Sequence, residues 1–351
     1  MVHSLISKTR LIQLQKQLST QWWICEEYYD LLYLTGVKLS KGTLLIGPKI
    51  ALFVDGRYME AARKAFPFEV LPLERLIPWC EQEIAQQPVG FDGLQMSVER
   101  HAVLSKHMLL ESCCNPIRLL RMVKSEEEIK ALRHSAALLM KSFTYLLSLL
   151  KEGVVEKDLA KAFEIYALEN GAEKMSFEPI VAFGPHSAMP HYRAGEGILK
   201  KGDVVLIDVG VIACDYASDM TRTLFFGKVS EEMEKAYRVA FEAYQEVVKK
   251  LRVGISVQEL DKVYRHHLSS HGNYAALHSV GHSLGLEVHE YPRLSIQTPE
   301  DVVLQKHMVV TVEPGIYIPG VGGVRYEDMF LLEESGAYNF YHELQIDRER
   351  A

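Results

Sequence analysis

A carboxylate in the middle of an apolar strand is the feature that most constrains this sequence. Asp208 follows four apolar residues, Val204–Ile207, which predict the centre of a buried strand. A buried, ionised carboxylate without a partner costs several kcal/mol or takes up a proton, so Asp208 requires a charged partner. The returning segment 216–226 predicts a second strand and carries Asp219. A hairpin that turns at residues 213–214, the midpoint between the two acids, would set the carboxylates side by side.

The neighbouring acids Asp208 and Asp219 need positive charge between them, because like charges in an apolar setting repel each other. A basic side chain can supply that charge, and Arg222 and Lys201 are the nearest candidates in the sequence. A metal ion can supply it as well. The hairpin alone leaves both interpretations open.

Length and composition describe a globular protein with two domains. A chain of 351 residues exceeds one ordinary core, and its composition is 48% hydrophobic and 24% charged. A net charge of −7 without a basic tract argues against a nucleic-acid partner. The first 18 residues lack the apolar core of a signal peptide, and no later stretch predicts a membrane span. Five cysteines, an odd number without CxxC spacing, indicate a reducing compartment, so we expect a cytoplasmic protein.

The two expected domains are residues 1–120 and 121–351. The first predicts an α/β unit, with an amphipathic helix followed by the short apolar strands YLTGV, GTLLIG and IALFVDG. The second begins near residues 117–124. There Ser125 and Glu128 form a capping-box pattern that opens a long amphipathic helix, and Gly153 ends that helix.

The second domain contains an internal repeat. LKEGVVEKDLAKAF (150–163) and LRVGISVQELDKVY (251–264) align without gaps at an offset of 101 residues. Each copy predicts a long helix, a glycine stop, a second helix and then strands. The repeat therefore predicts two α/β halves related by a pseudo-two-fold axis.

The second half repeats the acid-bearing hairpin. VVTVEPGIYI (309–318) carries Glu313, VRYEDMFLL (324–332) carries Glu327, and Gly320 stands at their midpoint in the turn PGVGG. Four buried acids that meet at a pseudo-symmetric centre require cations. The segment between the hairpins, HSVGHSLGLEVHE (278–290), adds imidazoles.

Carboxylates with an imidazole suit Mn, Co, Zn or Fe as ligands. Acids that bridge two ions would hold them about 3.5–4 Å apart, and such a pair lowers the pKa of a shared water and polarises a carbonyl. The predicted chemistry is therefore that of a hydrolase.

The motifs together resemble the pita-bread metallopeptidases, which include Xaa-Pro aminopeptidases, Xaa-Pro dipeptidases (prolidases), methionine aminopeptidases and creatinase. The matching segments, which follow the family's order over residues 120–332, are PHYR (190–193), LIDVG (206–210), SDMTRT (218–223), HSVGHSLGLEVHE (278–290), TVEPGIY (311–317) and RYED (325–328). YLTGV, LFVDGRY and IRLLRMVKSEEEI resemble the proline-peptidase branch. The resemblance implies an α/β (α+β) protein, with a creatinase-like N-terminal domain before a pseudo-two-fold pita-bread catalytic domain.

The resemblance also implies the metal ligands. Asp208 would chelate a first divalent ion, and Asp219 and Glu327 would bridge two. His282 and Glu313 would complete the second site, with Glu313 also acting as general base. Mn(II) is the expected metal, with Co(II) or Zn(II) as alternatives.

Four further residues would act on the substrate or on the ligands. His191, His278 and His289 would orient substrate and stabilise the tetrahedral intermediate, with His186 as a competing candidate for the role of His191. Arg325 would orient Asp219 or Glu327.

The implied activity is hydrolysis of the bond between an N-terminal residue and proline in short peptides, by an Xaa-Pro aminopeptidase. A prolidase is the alternative, and the pair at 191–192 favours the aminopeptidase. A creatinase-like hydrolase without metal and an inactive pita-bread binding module are remoter alternatives. The resemblance further implies a homodimer.

Overall fold

The computed structural model describes residues 2–344 except residue 273. The chain divides into two compact units, Met1–Arg121 and Met122–Ala351. Among the described residues, no helix is both long enough and apolar enough to cross a membrane.

The first unit is built on one six-stranded sheet with the strand order β4-β3-β2-β1-β5-β6. Its strands are β1 (Trp22–Cys25), β2 (Gly42–Ile46), β3 (Ile50–Val54), β4 (Glu69–Pro72), β5 (Pro88–Asp92) and β6 (Leu109–Cys113). Its helices are α1 (Val2–Gln15), α2 (Tyr28–Thr35), α3 (Met59–Ala65), α4 (Leu76–Glu83), α5 (Val98–Leu104) and α6 (Pro116–Met122). The sequences GTLLIG and IALFVDG form β2 and β3, as predicted.

The strand predicted at YLTGV is wrong, because these residues end helix α2. The side chain of Glu27 accepts a hydrogen bond from the backbone N–H of Asp30 and so caps the helix start. Gly36 adopts a left-handed φ of 71° and ends the helix. Caps at both ends outweigh the β-forming character of the short apolar run.

The second unit has two halves, each with two helices followed by strands. The first half contains α7 (Glu126–Ser148), α8 (Glu156–Glu169), β7 (Lys174–Met175), β8 (Ile180–Phe183), β9 (Asp203–Val209), β10 (Val211–Ala213), β11 (Tyr216–Ala217) and β12 (Met220–Phe226). The second contains α9 (Glu231–Lys250), α10 (Val257–Ser270), β13 (Gly281–Ser283), β14 (Glu290–Leu294), β15 (Val309–Val312), β16 (Gly315–Ile318), β17 (Gly322–Arg325), β18 (Asp328–Glu333) and β19 (Gly336–Asn339). The sheets are ordered β11-β10-β7, β12-β9-β8, β14-β13-β15-β18-β19 and β16-β17.

The internal repeat is confirmed by the positions of its helices. Helices α8 and α10 begin, and also end, 101 residues apart. Gly153 and Gly254 precede them with left-handed φ values of 88° and 86°. Their backbone N–H groups donate to the carbonyls of Leu199 and Leu304, so each half closes its helix pair in the same way. The predicted capping box of Ser125 and Glu128 also forms at the start of α7.

Strand alternation decides which face of β9 carries Asp208. Val205, Ile207 and Val209 pack into the apolar core that includes residues of α7 and α8. Leu206 packs on the opposite face with Ile180 of β8. Asp208 shares the face of Leu206, because side chains two residues apart on a strand point the same way.

The first acid-bearing hairpin forms with a register two residues away from the predicted one. Thr221, and not Asp219, lies opposite Asp208. The turn is a two-residue one at Cys214 and Asp215, whose φ values are 52° and 67°. Both central residues are left-handed, as in a type I′ turn, and this turn sets the register. Asp219 is therefore a diagonal neighbour of Asp208 on the same face of the sheet.

The second hairpin is centred on Gly320, as predicted. Ile316 pairs with Val324, Val312 pairs with Asp328, and Gly320 has a left-handed φ of 77° in the turn. Glu313 follows the end of β15 and Glu327 precedes the start of β18. Both acids thus lie where the strand pairing is interrupted, and their side chains can turn towards the first hairpin.

Candidate active site

Five of the predicted site residues form one buried or partly buried cluster. The Nε2 atom of His282 lies 3.6 Å from Oδ2 of Asp219, 3.7 Å from Oε1 of Glu313 and 4.0 Å from Oε1 of Glu327. Asp219, His282 and Glu327 each offer a donor atom within 4.8 Å of the others'. Asp208 lines the same pocket. The two hairpins thus contribute two acids each, and β13 contributes the imidazole.

His282 presents a nitrogen lone pair to the acids. Its Nδ1–H donates to the carbonyl of Ser283 at 3.2 Å, which leaves Nε2 as the acceptor nitrogen. Burial, assisted by the neighbouring ring of His289, lowers the pKa of His282 to about 3. The imidazole is therefore neutral at pH 7, which is the state that binds a metal ion.

Several oxygens of these acids are buried without a hydrogen-bond partner in the described part of the chain. Oδ1 of Asp208, Oδ1 of Asp219 and Oε1 of Glu327 are buried and have no hydrogen-bond partner among the described residues. Burial, and then the neighbouring carboxylates, raises the pKa values of Asp219 and Glu327 well above their usual range. Burial also raises the pKa of Glu313 to about 8. Carboxylate oxygens that accept no hydrogen bond, beside a neutral imidazole, are the ligand atoms expected around a divalent metal ion.

Arg325 partners Asp208, which differs from the expectation that it would orient Asp219 or Glu327. Its Nη2 group bonds to Oδ2 of Asp208, in a pair that is almost fully buried. Its Nε–H donates to Oγ1 of Thr221 at 3.1 Å, and that hydroxyl donates to Oε2 of Glu327 at 2.7 Å. Within the described residues, the hydrogen bonds of Arg325 therefore lead to Glu327 through Thr221.

The basic residues nearest in sequence do not neutralise the acids of the first hairpin. Arg222 points to the opposite face of β12 and pairs with Asp328 at 2.6 Å. Lys201 is exposed before β9. Neither Arg222 nor Lys201 therefore neutralises the pair; Asp208 is paired with Arg325 instead, and Asp219 has no arginine or lysine salt-bridge partner within the described residues.

The structure brings His278 and His289 to the cluster. The Nδ1–H of His278 donates to the carbonyl of Ser279, and its Nε2 lies 3.0 Å from the hydroxyl of Tyr317. Burial lowers the pKa of His278 to about 4 and also lowers that of His289. The rings of His282 and His289 are perpendicular, with centroids 4.4 Å apart.

The two histidines of the segment before β9 are separated by the structure. His191 is exposed and lines the pocket that contains the acids. His186 instead contacts Oε1 of Glu156 through Nδ1, at 2.8 Å. Of the two candidates, only His191 lies at the site.

The pocket has a volume of about 520 Å³ and includes residues that the sequence analysis did not single out. Arg193, Arg293 and Tyr192 add charge and polarity, and Phe177 and Ile180 add apolar surface. Tyr317 stands beside it and accepts a hydrogen bond from Arg325 at 2.6 Å. Arg293 directly follows HSVGHSLGLEVHEYP, so its nearness to the histidine motif was a usable signal.

Comparison with known proteins agrees with this geometry. Residues 130–334 match the sequence model of metallopeptidase family M24, and residues 8–123 match that of the creatinase/prolidase N-terminal domain. The chain belongs to metallopeptidase family M24. Its fold is accordingly a creatinase-type N-terminal domain followed by a pita-bread catalytic domain.

Several relatives of this M24 protein are named for activity on Xaa-Pro peptides. An Xaa-Pro dipeptidase of Pyrococcus horikoshii is 39% identical over 87% of this chain and 88% of its own length. The structure of an Xaa-Pro dipeptidase from Bacillus anthracis superposes with a TM-score of 0.90 at 29% identity, covering 98% of this chain and 99% of that one. An X-Pro aminopeptidase from Thermotoga maritima gives a TM-score of 0.84 at 26% identity, covering 96% and 99%. The M24 protein is thus a metal-dependent peptidase, and family membership together with the buried cluster implies divalent metal ions.

Proposed function

We propose that this M24 peptidase is an Xaa-Pro dipeptidase that uses two divalent metal ions. The observation that carries the proposal is the set of buried carboxylate oxygens without donors, gathered around the acceptor nitrogen of His282. The proposed ligands are Asp208, Asp219, His282, Glu313 and Glu327. Mn(II) is the proposed metal, with Co(II) or Zn(II) as alternatives.

The proposed mechanism assigns proton transfer to Glu313. When bound, the ions supply Lewis acidity and lower the pKa of a water molecule to near neutrality. Glu313 is the most exposed of the four acids, at 17% of its side chain, so it can reach both water and substrate. It takes the proton of the attacking water and passes it to the departing proline nitrogen.

The histidines then divide into two groups. His191 and His289 make no hydrogen bond within the described residues, so their ring N–H groups can donate to the substrate carbonyl as negative charge develops there. His278 has both ring nitrogens engaged, with Ser279 and Tyr317. We assign His278 to fixing Tyr317 and the pocket wall, and Arg325 to fixing Asp208.

Proline selectivity follows from the chemistry of the substrate. The imide nitrogen of an Xaa-Pro bond has no N–H, so a site for it needs no acceptor at that position. Apolar surface from Phe177 and Ile180 in the pocket suits the pyrrolidine ring.

A free carboxylate on the substrate would find a cation in this pocket. Arg293 is exposed on β14, lines the pocket, and forms no ion pair within the described part of the chain. A dipeptide presents its carboxylate next to proline, whereas a longer peptide presents an amide there. Arginine binds carboxylates through paired N–H donors. This favours the dipeptidase over the aminopeptidase, in line with the name of the Pyrococcus horikoshii relative.

The test compares Xaa-Pro with Xaa-Pro-Yaa substrates on the full chain loaded with Mn(II). We expect kcat/KM to be at least about tenfold higher for the dipeptide, a difference of ~1.4 kcal/mol. Arg293→Ala should raise KM for the dipeptide and leave the tripeptide unchanged. Equal or better cleavage of the tripeptide would make the protein an Xaa-Pro aminopeptidase.

Two measurements address the remaining alternatives. Full activity after exhaustive chelation would indicate a creatinase-like enzyme without metal, and failure to bind any divalent ion would indicate a binding module.

We also propose a cytoplasmic homodimer. The five cysteines are free thiols, which suits a reducing compartment.

A further inference from the structure

A fully buried glutamate outside the metal cluster holds the segment that carries His191. Glu156 lies in the first turn of α8 and its side chain is 0% exposed. Its carboxylate is absent from the pocket lining. A charge buried to this degree needs several donors, and the chain supplies them from one segment, residues 183–195.

The two oxygens of Glu156 accept hydrogen bonds along that segment. Oε1 accepts from the backbone N–H of Phe183 and from Nδ1 of His186, both at 2.8 Å. Oε2 accepts from the hydroxyl of Tyr192 at 2.8 Å and from the backbone N–H of Gly195 at 3.4 Å. One carboxylate thus ties together points twelve residues apart in the sequence.

The start of helix α8 reinforces the same attachment. Its N-cap residue, Val155, supplies no side-chain acceptor for the first turn. The backbone N–H groups of Glu156 and Lys157 donate instead to the carbonyls of Gly197 and Gly195, at 3.0 and 3.1 Å. The segment therefore caps the helix, and a carboxylate in the first turn is also favoured by the helix dipole.

The contact is too close to allow a side chain at residue 197. A Cβ atom built on Gly197 would lie 2.4 Å from Oε2 of Glu156. The glycine lets the backbone of the segment pass directly over the carboxylate. Substitution at this position is thus a second, independent way to disturb the attachment.

The other contacts beside His191 are weaker than this attachment. The carbonyl of Pro190 accepts from Nη1 of Arg325 at 3.4 Å, and Arg193 pairs with Glu178 at the surface, where an ion pair contributes little. Residues 190–197 contain no helix or strand, and His191 is exposed and makes no hydrogen bond within the described residues. Its neighbour Tyr192 is bonded to Glu156, and its ring stacks on His186 with centroids 4.8 Å apart. At the equivalent position of the internal repeat stands Val257, so the second half has no carboxylate at the position of Glu156.

We propose that Glu156 is a positioning residue that holds residues 183–197 so that His191 faces the substrate. The role of His191 rests on the function proposed above, whereas the anchoring of the segment does not. Glu156 itself does not line the substrate pocket, and it makes no hydrogen bond to a proposed metal ligand within the described residues.

The first experiment measures activity of the Mn(II)-loaded full chain. Glu156→Gln should lower kcat/KM by about 10- to 100-fold, since a misplacement of about 1 Å can cost 100-fold. Bound metal should be unchanged. The matched control is Glu196→Gln, the same substitution on an exposed residue of the same segment, which should stay within about twofold.

A double-mutant cycle with His191→Ala separates positioning from a general structural effect. If Glu156 acts through His191, Glu156→Gln should cost less than about threefold in the His191→Ala background. Full additivity of the two losses would overturn the proposal.

Hydrogen–deuterium exchange gives a readout that needs no activity. Glu156→Gln and Gly197→Ala should both speed exchange in residues 183–197 and leave the hairpin of Asp208 and Asp219 unchanged. Unchanged exchange in the segment would overturn the proposal, and so would equal acceleration in the hairpin. Tyr192→Phe removes the hydroxyl that donates to Oε2 of Glu156 and lies 3.0 Å from Nδ1 of His186, and it serves if the Glu156 variant does not fold. If no Xaa-Pro activity exists, the exchange result still decides whether Glu156 anchors the segment.

Discussion

At the scale of single residues, three acids of the metal cluster bind protons more tightly in the folded, metal-free protein than in the unfolded chain. Burial raises the pKa of Glu313 to about 8 and raises those of Asp219 and Glu327 well above the usual range. In the unfolded chain these carboxyls would titrate near 4. The folded, metal-free protein therefore retains protons that the unfolded chain has lost.

This difference predicts that the metal-free protein becomes less stable as pH rises. A raised carboxyl pKa contributes stability that is complete below about pH 4 and is lost as pH rises through about 8. His278 and His282 have lowered pKa values, so their contribution is complete once the pH exceeds about 6.5. Between pH 7 and pH 9 the acids lose this contribution, and the buried thiols of Cys25 and Cys80, whose pKa values burial also raises, act in the same direction. The thermal midpoint in EDTA should therefore fall by several degrees. Glu313→Gln should reduce the slope, and a midpoint that rises over this interval would contradict the assignment.

The site acids were predictable from the sequence, because a carboxylate within an apolar strand is costly unless a cation compensates it. The acids within apolar strands required cations whatever the fold, and these residues meet in the structure. The pairing of Arg325 with Asp208 was not predictable. The side chain of Thr221 lies between Arg325 and Glu327, and the sequence does not show this arrangement. The anchoring role of Glu156 was hidden as well, since an acid in the first turn of a helix is ordinary.

At the scale of elements, helix α10 is attached to the histidine-bearing segment through a buried aspartate. Oδ1 of Asp261 accepts from the backbone N–H of Val280 at 3.1 Å. Oδ2 accepts from the backbone N–H of Ile296 and from Nε of Arg265, each at 2.9 Å. Val280 directly precedes β13, so this carboxylate fixes the strand that carries His282.

Removing the carboxylate of Asp261 should destabilise the protein more than removing an exposed carboxylate from the same helix does. Asp261→Ala leaves two backbone N–H groups without their acceptor, and we expect a loss of about 2–4 kcal/mol in the free energy of unfolding. Glu259→Ala, on the exposed side of the same helix, should change it by less than about 0.5 kcal/mol. Thermal unfolding of both variants in the same buffer makes the comparison, and equal midpoints would contradict the role given to Asp261.

Element positions were predictable from periodicity, but the register was not. The repeat at an offset of 101 residues gave the helix pairs, because glycine stops and apolar spacing recur together. The register of the first hairpin depends on left-handed φ values at both Cys214 and Asp215; aspartate is enriched in that conformation, but cysteine is not, so the sequence did not indicate the two-residue turn. The strand prediction for YLTGV was wrong for a related reason, because the caps at the two ends of α2, and not the composition of the segment, determine its conformation.

At the scale of the whole molecule, the proposed ligands come from both halves of the catalytic unit. Asp208 and Asp219 belong to the first half, and His282, Glu313 and Glu327 belong to the second. The duplication visible in the sequence made this convergence predictable, because a pseudo-two-fold axis brings equivalent hairpins together. Bound ions would therefore cross-link the halves, and their removal would leave the halves without that link.

Metal removal should thus destabilise the unit Met122–Ala351 and leave the unit Met1–Arg121 unaffected. An ion present at 100 times its dissociation constant adds about 2.7 kcal/mol to the stability of the state that binds it. In hydrogen–deuterium exchange, EDTA should accelerate exchange in β9, β12, β15 and β18 and leave β1 to β6 unchanged. Adding Mn(II) back should reverse the change in wild type but not in Asp219→Asn. The control is Asp215→Asn in the same hairpin, which should behave as wild type because asparagine tolerates the left-handed φ of residue 215. Equal acceleration in both units would show that the metal stabilises the chain by some route other than joining the two halves.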